Sequence, residues 1–178
     1  MRRFVLLFVL TVLFSSVDAQ PAGANAVQQV QLDLHNAIEL SWVNNNAVHL
    51  AFNSTTDFEK GVVSDPQQLR VCSQQKFDIT IRAAAPHFTY NGASMPQPAM
   101  PVDGVLSIRV LQNTTCGTVA APFSVRNYHT IKNSDANLIV NGESCSAENI
   151  SVVYHAVPGF AYPPGVYTVD IIYTATQQ

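Results

Sequence analysis

Hydrophobic and polar positions alternate most regularly near the end of the chain. In Gly165-Val166-Tyr167-Thr168-Val169-Asp170-Ile171-Ile172-Tyr173-Thr174-Ala175-Thr176, one face carries Tyr167, Val169, Ile171 and Tyr173 and the other Thr168, Asp170, Ile172 and Thr174. A period of two predicts a strand with one buried face, and β-branched and aromatic side chains suit that surface. Pro163-Pro164-Gly165 just before it forces a turn from which the chain leaves extended. The expectation is a closing strand whose core side is Tyr167, Val169, Ile171 and Tyr173. Such a strand pairs with partners made much earlier in the chain.

The same alternation recurs upstream. Val30, Leu32 and Leu34 alternate with Gln31 and Asp33, an amphipathic strand by pattern. Residues 37–42 and 47–52 read as two strands separated by Asn44-Asn45-Asn46, a turn by composition. Residues 57–67 read as a loop, with Gly61 and Asp65-Pro66 as breakers. Residues 69–73 and 77–82 form an adjacent strand pair with Leu69, Val71, Phe77, Ile79 and Ile81 facing inward. Gln74-Gln75-Lys76 between them is either a hairpin loop or a bulge in one long strand. Pro86, Pro96, Pro98 and Pro101 mark residues 86–101 as a long connection, because Pro cannot join a central ladder. Residues 105–111, 121–126, 137–140 and 150–157 supply further strands, with turn signals at Asn141-Gly142 and Pro158-Gly159. Apolar residues nowhere recur at helical spacing for three turns. About nine or ten short strands separated by turns predict an all-β, antiparallel β-sandwich.

The N-terminus changes the compartment. Met1-Arg2-Arg3 is cationic, Phe4 to Phe14 is apolar, and Val17-Asp18-Ala19 offers small residues where a signal peptidase reads. The run is too short to span a bilayer core, which takes about 20 apolar residues. The expected layout is a signal peptide over 1–19, a flexible leader over 20–26 and one β-sandwich domain over 27–178, secreted or at the cell surface, with no membrane insertion of the mature chain. The formal charge of the whole chain is −3. Removing Arg2, Arg3 and Asp18 makes it one unit more negative, and no Lys/Arg cluster remains, which argues against nucleic acid as a partner.

Export also frames the cysteines, since oxidation is expected outside the cytosol. Cys116 and Cys145 lie in polar, loop-like contexts and are the expected disulfide, closing a loop of roughly 30 residues and contributing about 3–4 kcal/mol. Cys72 lies within a strand on the face opposite Leu69 and Val71, either an intermolecular link or a partly buried free thiol.

Catalytic patterns are missing. His35, His49, His87, His129 and His155 show no i, i+2 or i, i+4 pair. Gly142-Glu143-Ser144-Cys145-Ser146 lacks the second glycine of a nucleophile elbow, and no helix N-terminus is expected to activate a Cys145/His155 dyad. No phosphate loop, dinucleotide fingerprint or calcium loop is present. Asp57, Glu59, Asp65 and Asp103 read as solvated loop carboxylates or, alternatively, as oxygen ligands. Asn53-Ser54-Thr55, Asn113-Thr114-Thr115 and Asn149-Ile150-Ser151 match the N-glycosylation triplet. The chain is read as a non-enzyme with no cofactor and no metal.

Gly165-x-Tyr167-Thr168 followed by Tyr173-Thr174-Ala175-Thr176 resembles the ending of pilin-like exported β-sandwich proteins. These are the spore-coat-U-like subunits of archaic chaperone–usher pili and related uncharacterised exported bacterial proteins. Asp57-Phe58-Glu59-Lys60-Gly61-Val62, Leu69-x-Val71-x-Ser73 and Phe77-Asp78-Ile79-Thr80-Ile81 are similar to the middle of the uncharacterised relatives. For the pilins the resemblance implies an immunoglobulin-like sandwich completed by a strand from a neighbouring subunit. A donor must bring alternating apolar residues on a flexible arm, and Val30, Leu32 and Leu34 behind the 20–26 leader fit that description. The same segment also reads as the first strand of its own sandwich.

Two functions follow as expectations. One is a secreted or cell-surface structural subunit, pilin-like or adhesin-like, that associates with like subunits or other surface proteins by strand addition. The other is a self-contained module binding a glycan or cell-wall ligand, with Trp42, Tyr90, Tyr128 and Tyr162 as stacking platforms.

Overall fold

A computed structural model describes residues 28–44 and 47–178. The expected signal and leader, and Asn45 and Asn46 of the expected turn, lie outside the described residues. The chain divides into two units, Met1–Leu34 and His35–Gln178. In the first, residues 28–34 form no strand, so the alternation there is not matched by a ladder. Val30, Leu32 and Leu34 are 74%, 78% and 86% exposed.

The regular structure of the second unit is antiparallel strand apart from one short helix. In chain order they are β1 (Ile38–Trp42), β2 (Val62–Val63), β3 (Gln67–Ser73), β4 (Phe77–Ala83), β5 (Thr89–Asn91), β6 (Leu106–Asn113), β7 (Thr118–Val119), β8 (His129–Thr130), β9 (Ala136–Gly142), β10 (Cys145–Ala156), β11 (Val166–Thr168) and β12 (Ile171–Gln177). One sheet runs β1-β3-β10-β6-β8, with β2 also on β10; the facing sheet runs β12-β4-β9-β7; β11 and β5 form a separate ribbon. The fold is the all-β antiparallel sandwich that the alternation predicts.

The core lies between the two sheets. Val71, Ile108, Val110 and Ile150 from one sheet and Phe77, Ile79 and Ile139 from the other are each 0% exposed. β3 and β4 alternate strictly, burying Leu69 and Val71, then Phe77, Ile79 and Ile81. Phe77 pairs with Gly142, and a Cβ at Gly142 would come within 2.5 Å of the Phe77 ring, so the absent side chain makes room for the aromatic.

Several expectations need correction. β3 and β4 are neither a hairpin nor one bulged strand: they belong to different sheets, and 74–76 crosses between layers with Ser73 Oγ donating to Gln75 O at 2.7 Å. Residues 47–52 and 121–126 alternate in sequence but enter no ladder. The expected 57–67 loop overlaps α1 (Thr55–Lys60), started by a capping box in which Ser54 Oγ accepts from Asp57 N–H and the Asp57 carboxylate accepts from Ser54 N–H. Those backbone donors, with Asn53 N–H first, hold the Asp57 carboxyl below its usual range, so this carboxylate is spent on a helix cap.

The closing strand is split at Val169-Asp170. β11 pairs with β5 and β12 with β4, so one alternating stretch serves two sheets. Val169, Ile171 and Tyr173 nevertheless pack against the core, while Tyr167 stacks on Tyr90 at 4.9 Å. The strand at the centre is β10, paired on both sides and buried from Ile150 to Tyr154.

Candidate functional site

The four sheet edges are unequal. At one end of each sheet stand β7 and β8, two residues apiece. The connection between them also lies along the neighbouring strand, where Ser124 O accepts from Val110 N–H at 3.3 Å. Short, covered edges are a common device against unwanted pairing. At the other end stand β1, five residues long, and β12, seven residues long. Among the described residues no strand pairs with the outer edge of either.

The edge position of both strands shows in the burial. Ile171, Tyr173, Ala175 and Gln177 of β12 stand opposite Ala83, Ile81, Ile79 and Phe77 of β4. The β4 residues are buried, whereas all four on β12 remain half-exposed. Ile38, Leu40 and Trp42 of β1 are likewise half-buried against the core. An edge with unpaired backbone groups and a partly wet apolar side can accept another strand.

Side chains bridge this seam. The Trp42 ring meets Tyr173 edge to face, centroids 5.3 Å apart. Gln177 Nε2 donates to Ala37 O at 2.9 Å and to Ser73 Oγ at 3.2 Å. Tyr173 and Tyr154 share a hydroxyl hydrogen bond of 2.7 Å that ties β12 to β10 across the core. Past Trp42 the seam opens into a cleft of about 790 Å³, with Leu50, Phe52, Tyr162, Val169 and Ile171 among its walls.

The tyrosine pair yields a pH prediction. Burial pushes the Tyr154 phenol up to about 12, opposed by its bond to Tyr173, and burial also raises Tyr173 well above the ordinary value of 10.0. The folded chain therefore holds these protons when the unfolded chain has released them. Their contribution is fully present below about pH 10 and is lost as pH rises through about 12, on the order of 2 kcal/mol for Tyr154. Urea unfolding across that window should show the loss, and the double variant Tyr154→Phe, Tyr173→Phe should flatten it.

The structure distributes the other expected residues unevenly. Trp42 and Tyr162 both line the cleft. Tyr90 is only 7% exposed, with its hydroxyl donating to Pro164 O at 2.9 Å. Tyr128 lies between Arg109 and His155, away from the cleft walls. The sequence reading missed Phe52, Phe58 and Phe160, whose rings follow one another 5.4 and 5.8 Å apart, with Phe160 exposed. Their positions, 52, 58 and 160, have no common period, so no pattern links them.

All three cysteines are free, and the expected Cys116–Cys145 bond is not formed. Cys145, the first residue of β10, turns its thiol toward Val71 O, which accepts at 3.4 Å. Cys116 is exposed in a loop whose Thr115 O accepts from Glu143 N–H. Cys72 is half-buried, as its outward strand position implies, and donates to Ser146 O at 2.7 Å. Of the three glycosylation triplets, Asn53 has an exposed side chain, whereas Asn113 is bonded to Gly117 O and to Thr115, and Asn149 Oδ1 is buried. Among the described residues no three His, Cys, Asp or Glu gather, and no helix is long and apolar enough to cross a membrane.

The fold and site define an all-β antiparallel sandwich in which, among the described residues, the outer edges of β1 and β12 carry no paired strand. No protein-family model matches the sequence, and no curated protein sequence matches it. Among solved structures the chain is similar to a chaperone–usher pilus solved to explain rod uncoiling, at 11% identity and TM-score 0.41, covering 91% of this chain and 100% of that one. It is also similar to the P pilus rod subunit PapA, at 11% identity and TM-score 0.38, over 78% of this chain and 99% of that one. A family 123 glycoside hydrolase from Clostridium perfringens is similar at 11% identity and TM-score 0.35, over 79% of this chain and 25% of the hydrolase.

Proposed function

We propose that the protein is a non-enzymatic structural subunit, secreted or displayed at the cell surface, that associates with like subunits by β-strand addition. The acceptor is the outer edge of β12, and the donor is the segment carrying Val30, Leu32 and Leu34 of a neighbouring copy. The observation that carries this reading is the unequal treatment of the sheet edges. Two are cut to two residues, while the seven-residue edge of β12 keeps a half-exposed apolar side. The exposed alternation at 30–34 supplies a segment of complementary chemistry. Light scattering of the purified protein, with and without reductant, tests the proposal. Multimers that survive reductant are expected; a monomer under both conditions contradicts it.

A second reading is favoured by the cleft, whose walls include Trp42 and Tyr162 as candidate platforms for a glycan or cell-wall ligand. It predicts a stable monomer whose tryptophan emission responds to soluble glycans.

A further inference from the structure

We infer that the seam between β1 and β12 is latched in the free subunit by Trp42, Tyr173 and Gln177, and that a partner strand enters only when this latch opens. The inference rests on the strand-addition reading and adds its control point.

The latch holds both ends of β1. At the start, Gln177 bonds Ala37 O, the residue before β1, and Ser73 Oγ, which is 4% exposed. Gln177 stands opposite Phe77 and so points inward, at a position where the alternation calls for an apolar side chain. A carboxamide is accommodated there because two acceptors meet it. At the far end of β1, Trp42 packs on Tyr173, whose hydroxyl is held by Tyr154 of the central strand.

A strand added to β12 lies about 4.8 Å beyond it in the plane of the sheet, on the side where Ala37 and Trp42 now approach it through these contacts. To seat there it must part β1 from β12, and Ala37 O then leaves the Gln177 amide that it meets at 2.9 Å. The Trp42–Tyr173 contact must likewise give way to the donor's own apolar side chains. The fitting ligand is an extended peptide with apolar residues at alternate positions, which fills the inner side while its backbone pairs with β12.

The test uses the Leu32→Asp chain, which lacks a competent donor of its own, and a dye-labelled synthetic peptide spanning Gln28 to Asn36. Peptide uptake is followed by anisotropy. The chain holds a single tryptophan, so its emission reads the latch directly. Uptake is expected to change Trp42 emission at the same rate as anisotropy. Adding Gln177→Ala or Gln177→Glu should accelerate uptake roughly tenfold, since two hydrogen bonds no longer need breaking. Equal uptake rates in all chains with unchanged Trp42 emission would overturn the latch and leave strand addition standing. No uptake by any chain would overturn both.

Discussion

Phe77→Ala is expected to cost the sandwich about 3–5 kcal/mol, the largest loss from any single truncation in the core. Phe77 is 0% exposed and the bulkiest of the fully buried side chains. Its ring lies over Gly142, which has no side chain to move into the space left behind. The surroundings are β-strands held on both sides, since β4 pairs with β9 and with β12, so collapse around the cavity is resisted. Ile171→Ala, on the half-exposed edge strand, should cost less, because its side chain is already partly in water. Urea unfolding of both variants reads the difference. A Phe77→Ala loss under about 1 kcal/mol would mean that the two sheets do not share the close-packed core described above.

Leu32→Asp is expected to abolish association while leaving the fold intact. Leu32 is 78% exposed and belongs to the first unit. A carboxylate at so exposed a position stays in water and costs the fold little. Carried by a donor strand, it would have to enter the apolar side of β12, and burying an unpaired charge costs several kcal/mol. Light scattering should therefore report a monomer that keeps its β-sheet circular dichroism and still unfolds cooperatively in urea, at a lower midpoint because the partner strand is lost. If the variant instead loses its folded signal, residues 30–34 belong to the sandwich of their own chain and the donor assignment is wrong.

The alternation of apolar residues made much of this fold legible, and its failures have physical causes. Leu69, Val71, Phe77, Ile79 and Ile81 face inward as their period demands, because period two is a geometric property of any strand. The same period is silent about which sheet a strand joins. That is why residues 69–73 and 77–82, which look like a hairpin, separate into two layers, and why 165–176 divides at Val169-Asp170 while keeping its phase. Residues 47–52 alternate as well as any strand but find no ladder, since a strand is defined by its partners' backbone groups. Helix α1 was hidden for a different reason. Six residues are too few to show a helical period, and its signal lay in the Ser54 and Asp57 capping pair.

The open edge was only half legible. Val30, Leu32 and Leu34 were readable as donor candidates, and the C-terminal stretch as the last strand. The acceptor side needed topology, because nothing in the letters distinguishes an edge strand from a central one once both alternate. Gln177 is the clearest case. Thr176-Gln177-Gln178 is a polar run without alternation, yet Gln177 joins the two sheets through Ala37 and Ser73. Tyr154 and Tyr173 meet for the same reason: strands far apart in sequence face each other across the core.

Amide hydrogen exchange over residues 171–177, compared between the native protein and the Leu32→Asp chain, tests strand addition at β12 most directly. If a neighbouring strand covers this edge, the segment exchanges slowly in the native assembly and markedly faster in the monomeric variant, while β10 stays protected in both. Equal exchange over 171–177 in the two proteins, with the native protein still multimeric, would place the association elsewhere on the surface and contradict the account.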